Sequence, residues 1–100
     1  MNLHPMKLVT IVCEAYAQEA ITVLLKQIGA SGWTAFPVAG QGSQGHRSAD
    51  IPESTNLQIE VVLQSEAAQI LLERLAREFF TRYAMIAFES DVRTLRVNKF

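Results

Sequence analysis

One hundred residues, 49% hydrophobic and 19% charged, are enough for one compact core and exclude a disordered chain. Nine Lys and Arg stand against ten Asp and Glu, a net charge of −1, so a general binder of nucleic acid or of anionic membranes is excluded for want of a concentrated basic surface. Cys13 is the single cysteine, which rules out an intramolecular disulfide; in its apolar run the thiol is expected to act as a small buried hydrophobe.

Residues 1–6 lack a charged segment followed by a long apolar one, and the longest apolar stretches fall far short of the ~20 residues that span a bilayer. A cytoplasmic protein is expected. A domain this small buries only about 60–70% of its unfolded surface, so association with further copies would stabilise it substantially.

Residues 7–13 read Lys-Leu-Val-Thr-Ile-Val-Cys, a β-branched run suited to a central strand buried on both faces. Ala17, Ile21, Leu24, Leu25 and Ile28 then fall on one face of an amphipathic helix, with Gly29 and Gly32 near its end. Residues 33–38 form a second strand, with Pro37 marking a strand end or an edge because it has no N–H. Residues 40–55 hold three glycines, a proline and four Ser or Thr, with almost no large apolar side chains. They read as a long exposed loop, of a length usually associated with function or disorder.

In residues 57–64, Leu57, Ile59, Val61 and Leu63 face one way and Gln58, Glu60 and Gln64 the other, with Val62 the exception. Ser65 is the expected cap of a second helix whose buried stripe is Ala68, Leu71, Leu72, Leu75 and Phe79. Glu73 with Arg77, and Glu78 with Arg82, are its expected ion pairs. Residues 85–89 supply a fourth strand, and residues 92–97 a short fifth after a turn at Ser90-Asp91. The order β-α-β-β-α-β is that of an α+β, ferredoxin-like sandwich with both helices on one face of an antiparallel sheet. Leu8, Val12 and Val62 would then sit on the open face, which favours burial against another subunit.

Several chemistries find no footing. His4, His46 and Cys13 have no metal-ligand spacing, and no Ser-His-Asp or Cys-His arrangement can be assembled. The third strand carries no stacking aromatics, which removes the RNA-binding modules of this topology. An acylphosphatase-type enzyme would need an anion loop between the first strand and first helix, and Glu14-Ala15-Tyr16 offers none. Arg93, Arg96 and Lys99 make the C-terminal end basic, as a solvated edge strand or a ligand contact.

The opening of the loop, Gly40-Gln41-Gly42-Ser43-Gln44-Gly45-His46-Arg47-Ser48, could let backbone N–H groups approach an anion, with Ser43 and Arg47 adding side-chain donors. A solvated loop is the alternative, since no Gly-Lys-[Ser/Thr] ends the run and no helix follows its last glycine.

Taken together and in order, Gly32-Trp33-Thr34, Gly40-Gln41-Gly42-Ser43, Arg47-Ser48, Gln58-Ile59-Glu60-Val61-Val62 and residues 80–84 make the chain resemble the PII-like signalling proteins over nearly its whole length. It looks most like their short, bicarbonate-linked branch, which includes a carboxysome-associated PII protein and a PII-like regulator of a bicarbonate transporter. The resemblance implies a single domain over residues 1–100, no enzymatic activity, and a homotrimer packed sheet to sheet. An adenine nucleotide would lie in each cleft between subunits, at the base of the long T-loop, with bicarbonate beside it.

The resemblance also implies the site. Gly40, Gln41, Gly42 and Ser43 would meet phosphates, and Arg47 phosphate or bicarbonate. Thr34, Glu60 and Val62 would hold the adenine or ribose side, and Tyr83 and Ala84 would come from the adjacent subunit. Ligand contacts would select a T-loop conformation that a partner reads, either a membrane bicarbonate transporter or a carboxysome-related protein. Classical nitrogen-regulating members carry a longer, basic loop before the last strand and often a T-loop tyrosine. This chain has neither, so ADP or AMP is expected rather than ATP with 2-oxoglutarate. The transporter regulators commonly continue into a cysteine-bearing extension, whereas this sequence stops at Phe100, which leans the expectation to the carboxysome-associated member. An ACT-type or CutA-like module is the alternative with the same topology.

Overall fold

A computed structural model describes residues 1–40 and 56–96. Strand β1 (His4–Glu14) leads through a single 3₁₀ turn, Ala15–Ala17, into helix α1 (Gln18–Gln27). Strand β2 (Thr34–Val38), strand β3 (Asn56–Leu63) and helix α2 (Ser65–Arg74) follow. A π-helical turn, Leu75–Phe79, then precedes strand β4 (Met85–Thr94). The four strands form one antiparallel sheet in the order β2-β3-β1-β4, so the expected βαββαβ arrangement is the one observed.

Strand β1 sits between β3 and β4 because its sequence can be buried on both sides. Val9, Ile11 and Cys13 are at most 1% exposed under the helices, while Thr10, on the opposite face, is only 5% exposed. Leu57, Ile59, Val61 and Leu63 of β3 join the same core with Ile21, Leu24 and Leu25 of α1 and Ala68, Leu71, Leu75 and Phe79 of the second helix. The helical periodicities identify these faces well; Ile28 of the first expected face and Leu72 of the second are only partly buried.

Helix α1 stops at Gly29, whose φ of 84° is the left-handed conformation that costs glycine nothing. The Gly29 N–H donates to the Lys26 carbonyl (3.1 Å) and the Ala30 N–H to the Leu25 carbonyl (3.0 Å). This is a Schellman closure, with Ala30 packed back onto the core.

Three local expectations are corrected. The cap of α2 is Gln64, not Ser65: Gln64 is extended (φ −64°, ψ 156°), and its carbonyl accepts the Ala68 N–H at 2.9 Å. Glu78 pairs backward with Arg74, in a two-pronged contact at 2.9 and 3.0 Å, rather than forward with Arg82. Glu73 accepts from Gln69, and Arg82 turns to Tyr83. The turn at Ser90-Asp91 is absent. Residues 85–94 run as one strand because β1 is long enough to pair all of it, from Cys13 opposite Met85 to His4 opposite Thr94.

The second face of the sheet carries no helix among the described residues. Register places Leu8 beside Val62 and Ser90, Thr10 between Glu60 and Phe88, and Val12 between Gln58 and Ile86. Ile86 and Phe88 are 59% and 49% exposed there. The open face is therefore more apolar than Leu8, Val12 and Val62 alone indicate.

Candidate functional site

The residues expected to form the site fall into two groups, set apart by the strand order. Thr34 and Glu60 are direct register partners across β2 and β3, so their side chains share the open face of the sheet. Val62 lies two residues along on the same face, opposite Leu8 of the central strand. Gln58 donates from Nε2 to Oε2 of Glu60 at 3.2 Å, which orients a half-buried carboxylate flanked across the sheet by Thr10 and Thr34. Such a group can accept hydrogen bonds from hydroxyl or amino groups, while Val62 and Leu8 offer a surface for a flat ring.

Gly40 follows β2 where the chain leaves the sheet. A Cβ added there would meet nothing within 4 Å, so the backbone is open to close approach from outside. Gln41, Gly42, Ser43 and Arg47 lie outside the described residues.

Tyr83 and Ala84 form the second group, at the far side of the sheet where the chain enters β4. From β2 to β4 is three strand spacings, about 14 Å, so one chain does not bring Thr34 and Ala84 together. The π-helical turn leads into this region, closed by the Phe80 N–H on the Leu75 carbonyl at 3.1 Å. Phe80, Thr81, Arg82, Tyr83, Ala84 and Met85 then line an open concavity of about 430 Å³.

One of these lining residues, Ala84, is held from the strand side by Glu14, a residue the sequence reading passed over as a site member. The Ala84 N–H donates to Oε1 of Glu14 at 2.8 Å, and the Tyr16 hydroxyl donates to the same oxygen at 3.1 Å. The Tyr16 and Tyr83 rings lie 5.4 Å apart, Phe79 backs Tyr83 at 5.7 Å, and the Arg82 guanidinium sits 5.2 Å from the Tyr83 ring centre. The signal for Glu14 is present in the sequence: a carboxylate ending a buried apolar strand must find donors close by.

Burial pushes the Cys13 thiol up to about 11, with the Glu14 carboxylate adding to the effect, so this sulfur is not poised as a nucleophile. Among the described residues no three His, Cys, Asp or Glu side chains gather as metal ligands. Nor is any helix there long and apolar enough to cross a membrane.

These features define a small ferredoxin-like domain whose candidate ligand groups lie on the open face and at the end of its sheet. The family described as nitrogen regulatory protein P-II matches residues 6–99, and the chain belongs to that family. Solved structures agree. A PII-like signalling protein from Thermus thermophilus is 41% identical, with a TM-score of 0.84 over 96% of this chain and 95% of that one. CPII, a nitrogen regulatory PII-like protein from Thiomonas intermedia, has been solved bound to ADP, AMP and bicarbonate; it is 26% identical, with a TM-score of 0.86 over 95% of this chain and 92% of that one. A second CPII structure, bound to ADP and bicarbonate, is 27% identical with a TM-score of 0.84 over 95% of this chain and 93% of that one. The PII-like resemblance is thereby borne out.

Proposed function

We propose that the chain is a cytoplasmic, non-enzymatic regulator that binds ADP or AMP together with bicarbonate in the clefts of a homotrimer. The observation that carries this reading is its similarity over 95% of its length to CPII in complex with ADP, AMP and bicarbonate. The two groups of candidate residues favour a cleft between subunits, because one chain holds them at opposite sides of its sheet. The exposed Ile86 and Phe88, beside Leu8 and Val12, give the face on which subunits would meet.

In this site Thr34, Glu60 and Val62 take the adenine and ribose side. Gly40, Gln41, Gly42 and Ser43 present donors to the phosphates, and Arg47 pairs with phosphate or with bicarbonate. Tyr83 and Ala84 close the site from the neighbouring subunit. Ligand binding sets the conformation of the T-loop between β2 and β3, which signals to a bicarbonate transporter or a carboxysome-related protein and so adjusts inorganic carbon uptake or carboxysome function.

Calorimetry with ADP and AMP, each with and without bicarbonate, tests the reading on the wild type and on Arg47→Ala. Adenylate binding that bicarbonate alters, and that Arg47→Ala weakens by about tenfold or more, is the expected result. A folded, trimeric protein that binds neither nucleotide would overturn it.

A further inference from the structure

We propose that Glu14 is a positioning residue: its carboxylate, carried on the last residue of β1, fixes the entrance to β4 and so presents Tyr83 and Ala84 in one arrangement. The consequence for binding rests on the adenylate reading above, in which Tyr83 and Ala84 close a neighbour's site.

The ladder between β1 and β4 ends at the pair Cys13 and Met85. One residue earlier in the chain, the Ala84 N–H goes to a side chain instead, donating to Oε1 of Glu14 at 2.8 Å. The Tyr16 hydroxyl donates to the same oxygen at 3.1 Å, so the acceptor is itself held in place. The backbone of Glu14 is braced in turn by its register partner Asn56 at the start of β3. From the helical side, the Arg82 and Tyr83 N–H groups both donate to the Phe79 carbonyl at 2.9 Å. The short segment into β4 is thus tied at one end to the second helix and at the other to the central strand.

Thr81 and Arg82 within it are exposed, and the concavity of about 430 Å³ opens beside them. Polar contacts therefore set the place of this segment more than packing does. Glu14 acts through Ala84, which lines the concavity. Its bond lies at the end of the sheet, beyond the buried Val9, Ile11 and Cys13, so its loss would loosen the segment locally before it opened the fold. What the contact requires is an acceptor oxygen at the right reach.

The test compares the full chain with Glu14→Gln, Glu14→Asp and Glu14→Ala. Glu14→Gln keeps the reach and an acceptor oxygen but loses the charge. Glu14→Asp keeps the charge and falls one methylene short, and Glu14→Ala keeps neither. Amide exchange without nucleotide is read at Ala84, with Val9 and Ile11 as the core reference. Exchange at Ala84 is expected to quicken about tenfold in Glu14→Asp and Glu14→Ala, and to stay within about threefold of wild type in Glu14→Gln, with the core amides unchanged throughout. Calorimetry should show AMP and ADP weakened together, by about tenfold, in the same two variants. Unchanged exchange at Ala84, Glu14→Gln behaving like Glu14→Ala, or equal quickening of the core amides would each overturn the proposal. So would faster exchange with unchanged affinities. If Glu14→Ala does not fold, the milder Glu14→Asp decides. A wild type that binds no adenylate would overturn the site reading instead, and exchange at Ala84 would still decide whether Glu14 positions the segment.

Discussion

Among single residues, Cys13 and Glu14 are chain neighbours with opposite surroundings. Alternation along β1 sends the Cys13 sulfur into the core, while the Glu14 carboxylate meets the Ala84 N–H and the Tyr16 hydroxyl. Burial raises the thiol to about 11, against about 8.5 for a free cysteine in the unfolded chain. Between those values the unfolded state binds fewer protons than the folded one. This contribution to stability is therefore full below the unfolded value and is lost as pH rises towards the folded one. Alkylation of Cys13 at about pH 9 should accordingly be slow in the native protein and fast in denaturant. Fast labelling under native conditions would contradict the burial described. Sequence alone places Cys13 correctly, because an apolar run says enough about a small thiol. It does not place Glu14, because the donors that satisfy its carboxylate include one from a residue 70 positions away.

Among elements, the parts with a clean period are legible in the sequence and the parts set by pairing are not. The alternation from Leu57 to Leu63 and the spacing of Ile21, Leu24, Leu71 and Leu75 mark buried faces, because each element must hide one face whatever its partner. The continuity of β4 through Ser90 and Asp91 is different. Those residues read as a turn in isolation, yet β1 offers Leu8 and Lys7 as register partners, and Lys7 pairs with both Glu89 and Asp91. Ladder bonds and that ion pair override the local turn preference. Glu78 turns back to Arg74, whose guanidinium also reaches Gln27 Oε1 at 3.0 Å, and so ties the two helices together at their surface. Beneath that tie lies Leu75, fully buried where α2 passes into the π-helical turn. Leu75→Ala should cost about 2–5 kcal/mol, read as a shift in the denaturant midpoint with little change in slope. A cost within error would mean that the π-helical turn collapses onto the cavity.

For the whole molecule, the layered fold was legible because the order of elements admits few arrangements of two helices on four strands. The candidate site was only half legible. Thr34 and Glu60 meet as register partners, but the separation of Tyr83 and Ala84 from them, by two intervening strands from Thr34 and one from Glu60, is a property of the sheet order and appears in no local motif. The apolar breadth of the open face was also understated, since Ile86 and Phe88 join Leu8, Thr10 and Val12 only once β4 is set beside β1. If that face is the subunit interface, Phe88→Asp should convert the trimer to monomers in light scattering while the isolated fold survives, because Phe88 lies away from the helix-facing core. An unchanged assembly would assign subunit contacts to another surface.

The pairing of His4 with Thr94 closes the fold in a way that concerns chain connectivity. The outer ends of β1 and β4 face each other at the width of one strand spacing, about 5 Å, so a linker of a few residues could join them. Opening the same chain between Gly40 and Asn56 would interrupt none of the described strand pairings. The sheet order would then be preserved in a circularly permuted chain, while the connection between β2 and β3 became its two new ends. Such a chain would show whether the sheet and helices fold without a continuous connection between β2 and β3.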